Sequence, residues 1–424
     1  MSSKLTFSKL RVRLENWWKD PRSKRNSLLF LLSVGIVLYC EWFYQYLYFY
    51  SYSWPLNNAE ANIVLLADPQ VVDRNSYPNR NNIGMKLSEI MSDRYLARNF
   101  RLIDKFMKPD AYFFLGDLFD GGREWDDEAW FAEFDRFCRI FPYSEVIPRV
   151  TSLPGNHDVG SANTINKLAF ERFEKYFGET TTIKSIADHN IVMLDTNAMM
   201  DSADKEISGK IKEFYKILLD NSEVLQPLII LSHVPLYRPD GSDCGPNNER
   251  EVIRLRMGYQ YVTMVDAALS TDILRNLSPD FVFSGDHHDI CEYVHELPDK
   301  NILETTVKTF SMAGGMQRPG FQVISLNSGG TSATNPVLLP KPFSPFFILG
   351  GLYAMYTVLV IVTAIRTPKK KLYTSLPISV SDKHRTYPRK SHRFYDFLTM
   401  AGIGISGFVV GQIIIERLCY GGMR

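Results

Sequence analysis

The sequence predicts an α/β domain with two sheets sandwiched between helices, a four-layer αββα arrangement, flanked by transmembrane helices. Three observations carry that expectation. Short apolar runs of strand length end abruptly in polar residues, helical patterns separate those runs, and three further stretches near the chain ends are apolar enough to cross a bilayer. A chain of 424 residues with ordinary composition is none of the collagen-like, disordered or disulfide-framework classes.

In chain order, residues 1–26 form a basic tail with eight Lys/Arg against two acids. Residues 27–50 predict the first transmembrane helix, although Glu41 interrupts it and Tyr, Trp and Phe dominate its second half, as suits the headgroup region. A cleavable signal peptide is the competing reading; the long basic lead and the lack of a small-residue cleavage site argue against it. Residues 51–342 hold 29 bases and 41 acids, a net of −12, and read as one domain. A second span at 343–365, a basic loop at 366–396, a third span at 397–415 and a tail at 416–424 complete the chain. Residues 346–365 and 397–415 contain no charge, whereas 366–393 carry nine Lys/Arg against Asp382 alone. With both basic segments cytoplasmic, the positive-inside rule turns the acidic domain toward the lumen or exterior. The same topology, with anionic lipid headgroups, accounts for the basic loop and excludes a nucleic-acid reading. Cys138, Cys244 and Cys291 then lie in an oxidising compartment. Cys244 and Cys291 flank candidate site motifs and are the favoured disulfide; three reduced buried thiols are the alternative.

Inside the domain the strand-length runs are "NIVLLADPQ" (62–70), "AYFFLGDLFD" (111–120), "VTSLPGNHD" (150–158), "PLIILSHVP" (227–235) and "FVFSGDHHD" (281–289), with helical patterns over 84–107, 126–140, 163–177 and 205–220. That alternation places ligands at the carboxyl ends of the strands. Later the rhythm changes: "ICEYVHEL", "ETTVKTFSMAG" and "FQVISL" read as consecutive strands of a second, more antiparallel sheet, and 326–342 reads as a Gly/Ser/Pro-rich linker.

Each strand exit presents polar donors. The first gives Asp68 and Gln70, the second Asp117 and Asp120, the third Asn156, His157 and Asp158, the fourth His233, and the fifth Asp286, His287 and His288. Oxygen-rich donor sets with a few imidazoles suit Mn²⁺, Fe or Zn²⁺, and a bridging carboxylate allows two ions about 3.5–4 Å apart, the clamp used for displacement at phosphorus.

The order Asp68, Gly116-Asp117-Leu118-Phe119-Asp120, Gly155-Asn156-His157-Asp158, His233 and Gly285-Asp286-His287-His288 resembles the calcineurin-like metallophosphoesterases, whose pattern is DxH, GDxxD, GNH(D/E), H and GHxH. The resemblance spans residues 62 to about 325 and implies the family's sandwich fold and a dinuclear site. It implies one metal held by Asp68, Asp117 and His288 and a second by Asp117, Asn156, His233 and Asp286, with Asp117 as the bridge. It further implies that His157, oriented by Asp120, stabilises or protonates the departing oxygen. Two positions depart from the pattern: Gln70 stands for the family's first histidine and Asp286 for the first histidine of GHxH. Both changes favour Mn²⁺ over Zn²⁺, and they leave His287 open as the ligand in place of His288.

The Asp68-Pro69-Gln70 variant on a membrane-anchored domain resembles the eukaryotic branch that removes ethanolamine phosphate from a mannose of glycosylphosphatidylinositol (GPI) anchors with manganese. That resemblance implies a GPI-anchored protein's glycan as substrate and a membrane of the endoplasmic reticulum or Golgi. A metal-stabilised receptor for anchored cargo, a manganese sensor, and a hydrolase of another phospholipid headgroup or of a phosphoprotein are the competing readings. Arg238, behind His233, is either a phosphate contact or a surface arginine. Gly407 and Gly411 predict close helix packing in the last span.

Overall fold

The computed structural model describes residues 21–250, 252–366 and 392–420. The basic tail before residue 21 and most of the basic loop lie outside the described residues. Among the described residues, contacts divide the chain into two compact units, one within residues 48–342, the other of residues 21–47 with those after 342.

The strands of the first unit are β1 (Ala61–Leu66), β2 (Ala111–Phe114), β3 (Arg149–Val150), β4 (Thr182–Ile186), β5 (His189–Met193), β6 (Leu228–Leu231), β7 (Met257–Gly258), β8 (Tyr261–Val262), β9 (Phe281–Ser284), β10 (Cys291–Glu296), β11 (Asn301–Thr306), β12 (Gly320–Asn327) and β13 (Thr331–Leu338). They form a five-stranded sheet ordered β13-β12-β1-β2-β3, a six-stranded sheet ordered β10-β11-β9-β6-β5-β4, and the β7–β8 hairpin. Strands β1, β2 and β3 run parallel, as do β5, β6, β9 and β11, while β12 pairs antiparallel with β1 and β13, β10 with β11, and β4 with β5.

Alternate residues explain the layering. Ile63, Leu65, Phe113, Ile324 and Leu326 from one sheet and Ile191, Met193, Ile229, Leu231 and Phe283 from the other share one buried core. The opposite face of the first sheet is apolar too, so it also needs cover. Tyr112 stacks near Phe100 of helix α1 (Asn82–Leu102), and Phe114 meets Phe137 of α2 (Asp127–Ile140) edge-on. Asn81 and Asp126 cap these two helices through Gly84 N–H and Ala129 N–H.

Two features differ from the sequence expectation. β12 leaves the sheet of β10 and β11 and returns to pair with β1, so the late strands do not share one sheet. Residues 331–338, inside the expected linker, are the edge strand β13, paired with β12 throughout. Their Ser, Thr, Asn and Pro content hides the strand, and Pro336 is tolerated because an edge strand has one unpaired side.

Arg238 corrects both readings made of it. Its side chain is fully buried, 3.0 Å from Glu304, which also accepts from Leu236 N–H at 2.9 Å and pairs with His295 at 2.7 Å. The favoured disulfide is present: Cys244 bonds Cys291, and the Arg238 guanidinium donates to Cys291 Sγ.

Among the described residues, helices at Pro21–Tyr50, Ser344–Arg366 and Tyr395–Ile415 are long and apolar enough to cross a membrane. The last approaches the first closely: a Cβ added at Gly407 would lie 2.8 Å from Phe30 O, and one at Gly411 2.8 Å from Val37 Cβ.

Glu304→Ala leaves the buried guanidinium uncompensated and is expected to destabilise the domain by about 3–5 kcal/mol. Denaturant unfolding followed by near-ultraviolet circular dichroism measures it, and Glu304→Leu combined with Arg238→Met should recover most of the loss. No recovery would show that the pair does more than neutralise charge.

Candidate metal centre

Every sequence-nominated site residue sits just beyond a strand's carboxyl end: Asp68 and Gln70 after β1, Asp117 and Asp120 after β2, Asn156 and His157 after β3, His233 after β6, and Asp286 and His288 after β9. The backbone there is unusual. Asp68, Gln70, Asp117, Asp286 and His288 all have positive φ, between 32° and 66°. Such conformations are unfavourable for residues with a Cβ and persist where packing over-determines them.

The loops converge. Ligand atoms of Asp68, Asp117 and His288 all lie within 4.8 Å of one another. His233 Nε2 stands 3.4 Å from Asn156 Oδ1, 3.6 Å from Asp117 Oδ1 and 3.7 Å from Asp286 Oδ1. These last separations are long for good hydrogen bonds. They are near the spacing of donors that share one ion at about 2.1 Å. Asp117 belongs to both groups, the position a bridge requires. His287, the alternative to His288, is not in the first group; its backbone N–H turns to Gly285 O.

The imidazoles are oriented from behind. His233 Nδ1–H donates to Leu115 O at 2.7 Å and His288 Nδ1–H to Gly314 O at 3.3 Å, so each aims Nε2 inward, the arrangement typical of metal-ligating histidines. His157 Nδ1 lies 3.1 Å from Asp120 Oδ1 and 2.6 Å from its carbonyl oxygen. Its backbone N–H meanwhile donates to Asp117 Oδ1 at 2.9 Å.

Charge and burial test whether divalent cations fit. Asp68 and Asp117 are fully buried, and Asp68 Oδ2 has no hydrogen-bond partner among the described residues. Burial, reinforced by Asp117 and Asp286, holds the Asp68 carboxyl well above the usual range, and burial lifts Asp286 to about 6. Burial opposes a charge on His233, yet Asp117, Asp68 and Asp286 outweigh it and raise its pKa to about 9. Against the cost of burial, His233 and His157 hold the Asp117 carboxyl below its usual range, whereas Asp68 and Asp286 beside it resist ionisation and Asp68 has an orphaned oxygen; a cation would relieve both. The donor set fits.

Three contributions escaped sequence reasoning. Asp158 accepts from Gly155 N–H at 2.8 Å, Phe119 N–H at 3.0 Å and Leu118 N–H at 3.1 Å, and so ties the second and third strand exits together. Its place at the end of the Gly-Asn-His-Asp block was the available signal. Gln70, which stands where the family pattern has its first histidine, directs its amide Nε2–H to Asp117 Oδ2 at 3.1 Å and holds that carboxylate in place. Thr309 Oγ–H donates to Asp68 O at 2.8 Å, with nothing in the sequence to mark it. Gly155 leaves no room for a side chain: an added Cβ would lie 2.0 Å from Asp117 Oδ1.

A family model described as calcineurin-like phosphoesterase matches residues 61–289 of this chain. The chain is similar to Cell division control protein 1 of Saccharomyces cerevisiae, 38% identical over 310 residues that cover 68% of this chain and 63% of the yeast protein. It therefore spans less than two thirds of that relative's length. It is also similar to Metallophosphoesterase 1 of Mus musculus, 27% identical over 332 residues covering 71% and 80% of the two chains. A Metallophosphoesterase 1 homolog of Caenorhabditis elegans is 26% identical over 299 residues, 67% and 77% of the two chains.

Gly155→Ala should displace Asp117 while sparing the remote core. Elemental analysis of the purified protein is expected to show at least a tenfold loss of bound divalent metal with unchanged far-ultraviolet circular dichroism; full metal content would refute the close approach. Asp158→Ala removes an acceptor for three backbone N–H groups and should lower stability by about 2–4 kcal/mol, read by denaturant unfolding. An unchanged midpoint would dismiss its bracing role.

Proposed function

For a chain that belongs to the calcineurin-like phosphoesterase family, and is therefore a metal-dependent phosphoesterase, we propose that the reaction is hydrolysis of ethanolamine phosphate from a mannose of GPI anchors. The observation that carries the hydrolytic part is the convergence of Asp68, Asp117, Asn156, His233, Asp286 and His288 from separate strand exits around His157. The Asp68-Pro69-Gln70 variant and the apolar spans that tether the domain to a bilayer support the substrate and the branch. The Cys244–Cys291 disulfide supports a lumenal, oxidising location in the secretory pathway.

Asp68, Asp117 and His288 would hold one divalent cation, and Asp117, Asn156, His233 and Asp286 the other; Mn²⁺ is the proposed metal, favoured by the excess of oxygen donors. When bound, the pair supplies charge neutralisation at phosphorus and a lowered pKa for attacking solvent. The chain's own groups do the rest. Gln70 and the His157 N–H fix Asp117 from two sides. Asp120 takes the Nδ1 side of His157 and leaves Nε2 to meet the departing mannose oxygen. Burial opposes a proton on His157, but the Asp117 and Asp120 carboxylates outweigh it and raise its pKa to about 10, so the imidazolium is available as a general acid.

His157→Ala should keep its metal and lose about 10²–10⁴ in kcat on an ethanolamine-phosphate glycan assayed with Mn²⁺ and the full chain. The same variant also separates an enzyme from a cargo receptor, because a receptor would keep its cellular function. No phosphorus cleavage by the wild-type protein with any divalent ion would reject the proposal.

A further inference from the structure

A cleft of about 330 Å³ adjoins the metal centre, lined by Arg250, Arg254, Arg256, Thr263 and His287. Its charge contradicts its surroundings. The segment 51–342 has 41 acids against 29 bases, yet among the described residues this lining gathers three guanidiniums and no carboxylate. Two described acids nearby are already committed: Glu249 accepts from Lys308 at 2.8 Å and from Gln317 N–H, and Asp289 pairs with Lys308 at 3.0 Å. Among the described residues, the exposed side chains of Arg254 and Arg256 make no hydrogen bond or ion pair. Like charges gathered without partners raise the energy of the fold, so stability does not explain them.

The cleft is built rather than incidental. The Cys244–Cys291 bond fastens the start of its loop, and Ile253 is buried against both cysteines and Met264. Thr263 Oγ–H donates to Arg254 O at 2.7 Å and accepts from Arg256 N–H at 2.8 Å, which sets the two arginines side by side. Arg250 Nη2–H donates to Gly314 O, the carbonyl that also receives His288 Nδ1–H. The far end of the loop reaches the centre again, since Asn156 Nδ2–H donates to Gln260 O at 3.0 Å. His287 Nε2 is buried in this wall without a partner among the described residues.

Guanidiniums present paired N–H donors that match phosphate oxygens in geometry and charge. We propose that this cleft binds a second phosphate of the substrate, distinct from the phosphodiester that is hydrolysed, so that the enzyme prefers substrates bearing two phosphates. The proposal rests on the phosphodiesterase reading of the adjoining centre. A bilayer phospholipid headgroup offers the same chemistry from another source.

The test uses the full chain in non-ionic detergent with Mn²⁺ and the double variant Arg254→Gln, Arg256→Gln; Arg250 is left intact because it also holds the Gly314 carbonyl. Calorimetric titration with mannose 6-phosphate is expected to show binding that the variant weakens at least tenfold and whose salt dependence it flattens. In turnover, the variant's KM for a glycan with a further phosphate should rise at least fivefold more than its KM for the same glycan without one. Identical isotherms, or equal KM changes for both glycans, overturn the proposal. A KM difference that appears only when phosphatidylserine vesicles are added assigns the cleft to headgroups and overturns the substrate-borne phosphate. If the wild-type protein hydrolyses neither glycan, the catalytic reading fails while the titration still decides whether the cleft takes phosphate.

Discussion

Carboxylates gathered out of water are the constraint on which this structure turns. Asp68 and Asp117 are fully buried, and Asp286 joins them through His233 and through its own N–H, which donates to Asp68 Oδ1 at 3.1 Å. An uncompensated buried carboxylate is among the most unfavourable groups a fold can carry. Much of the local architecture answers that problem: positive-φ turns that aim the carboxylates inward, a glycine with no room for a methyl group, and Asp158 as a brace between loops. The rigid two-sheet core supplies the leverage, since strands buried on both faces cannot shift to relax the loops at their ends.

How much of this the sequence revealed follows from which forces are local. The four long helical patterns and the central strands were legible because their periodicity and run lengths are set by adjacent residues: 126–140 became Asp127–Ile140 and 205–220 became Lys205–Asp220. The donors themselves were legible, being polar groups abruptly following apolar runs. What depends on distant parts of the chain was not. Nothing near β12 tells it to return to β1, and β13 looks like a linker because its pairing partner, not its composition, makes it a strand. Arg238 read as a surface or substrate contact because its partner, Glu304, lies far along the chain. Gln70's donation to Asp117 depends on which way an amide turns, which spacing alone does not specify.

The site and its neighbourhood have opposite electrostatic characters. Clustered carboxylates lie on one side, and on the other stands a loop with Arg254 and Arg256, which make no ion pair among the described residues, and Arg250, which shares the Gly314 carbonyl with His288. The proposed phosphate ester would meet complementary charge in both places, and the disulfide ties the arginine loop to the strand that follows His288. The domain is continuous in the chain with helices that are long and apolar enough to cross a membrane.

The most direct measurement is anomalous diffraction at the manganese edge from crystals of the full-length protein grown with Mn²⁺. Two peaks within bonding distance of Asp117 are expected, one shared with Asp68 and His288 and the other with Asn156, His233 and Asp286. Density without any peak beside Asp117, in protein that retains phosphoesterase activity, would contradict the claim that the buried carboxylates are there to hold cations.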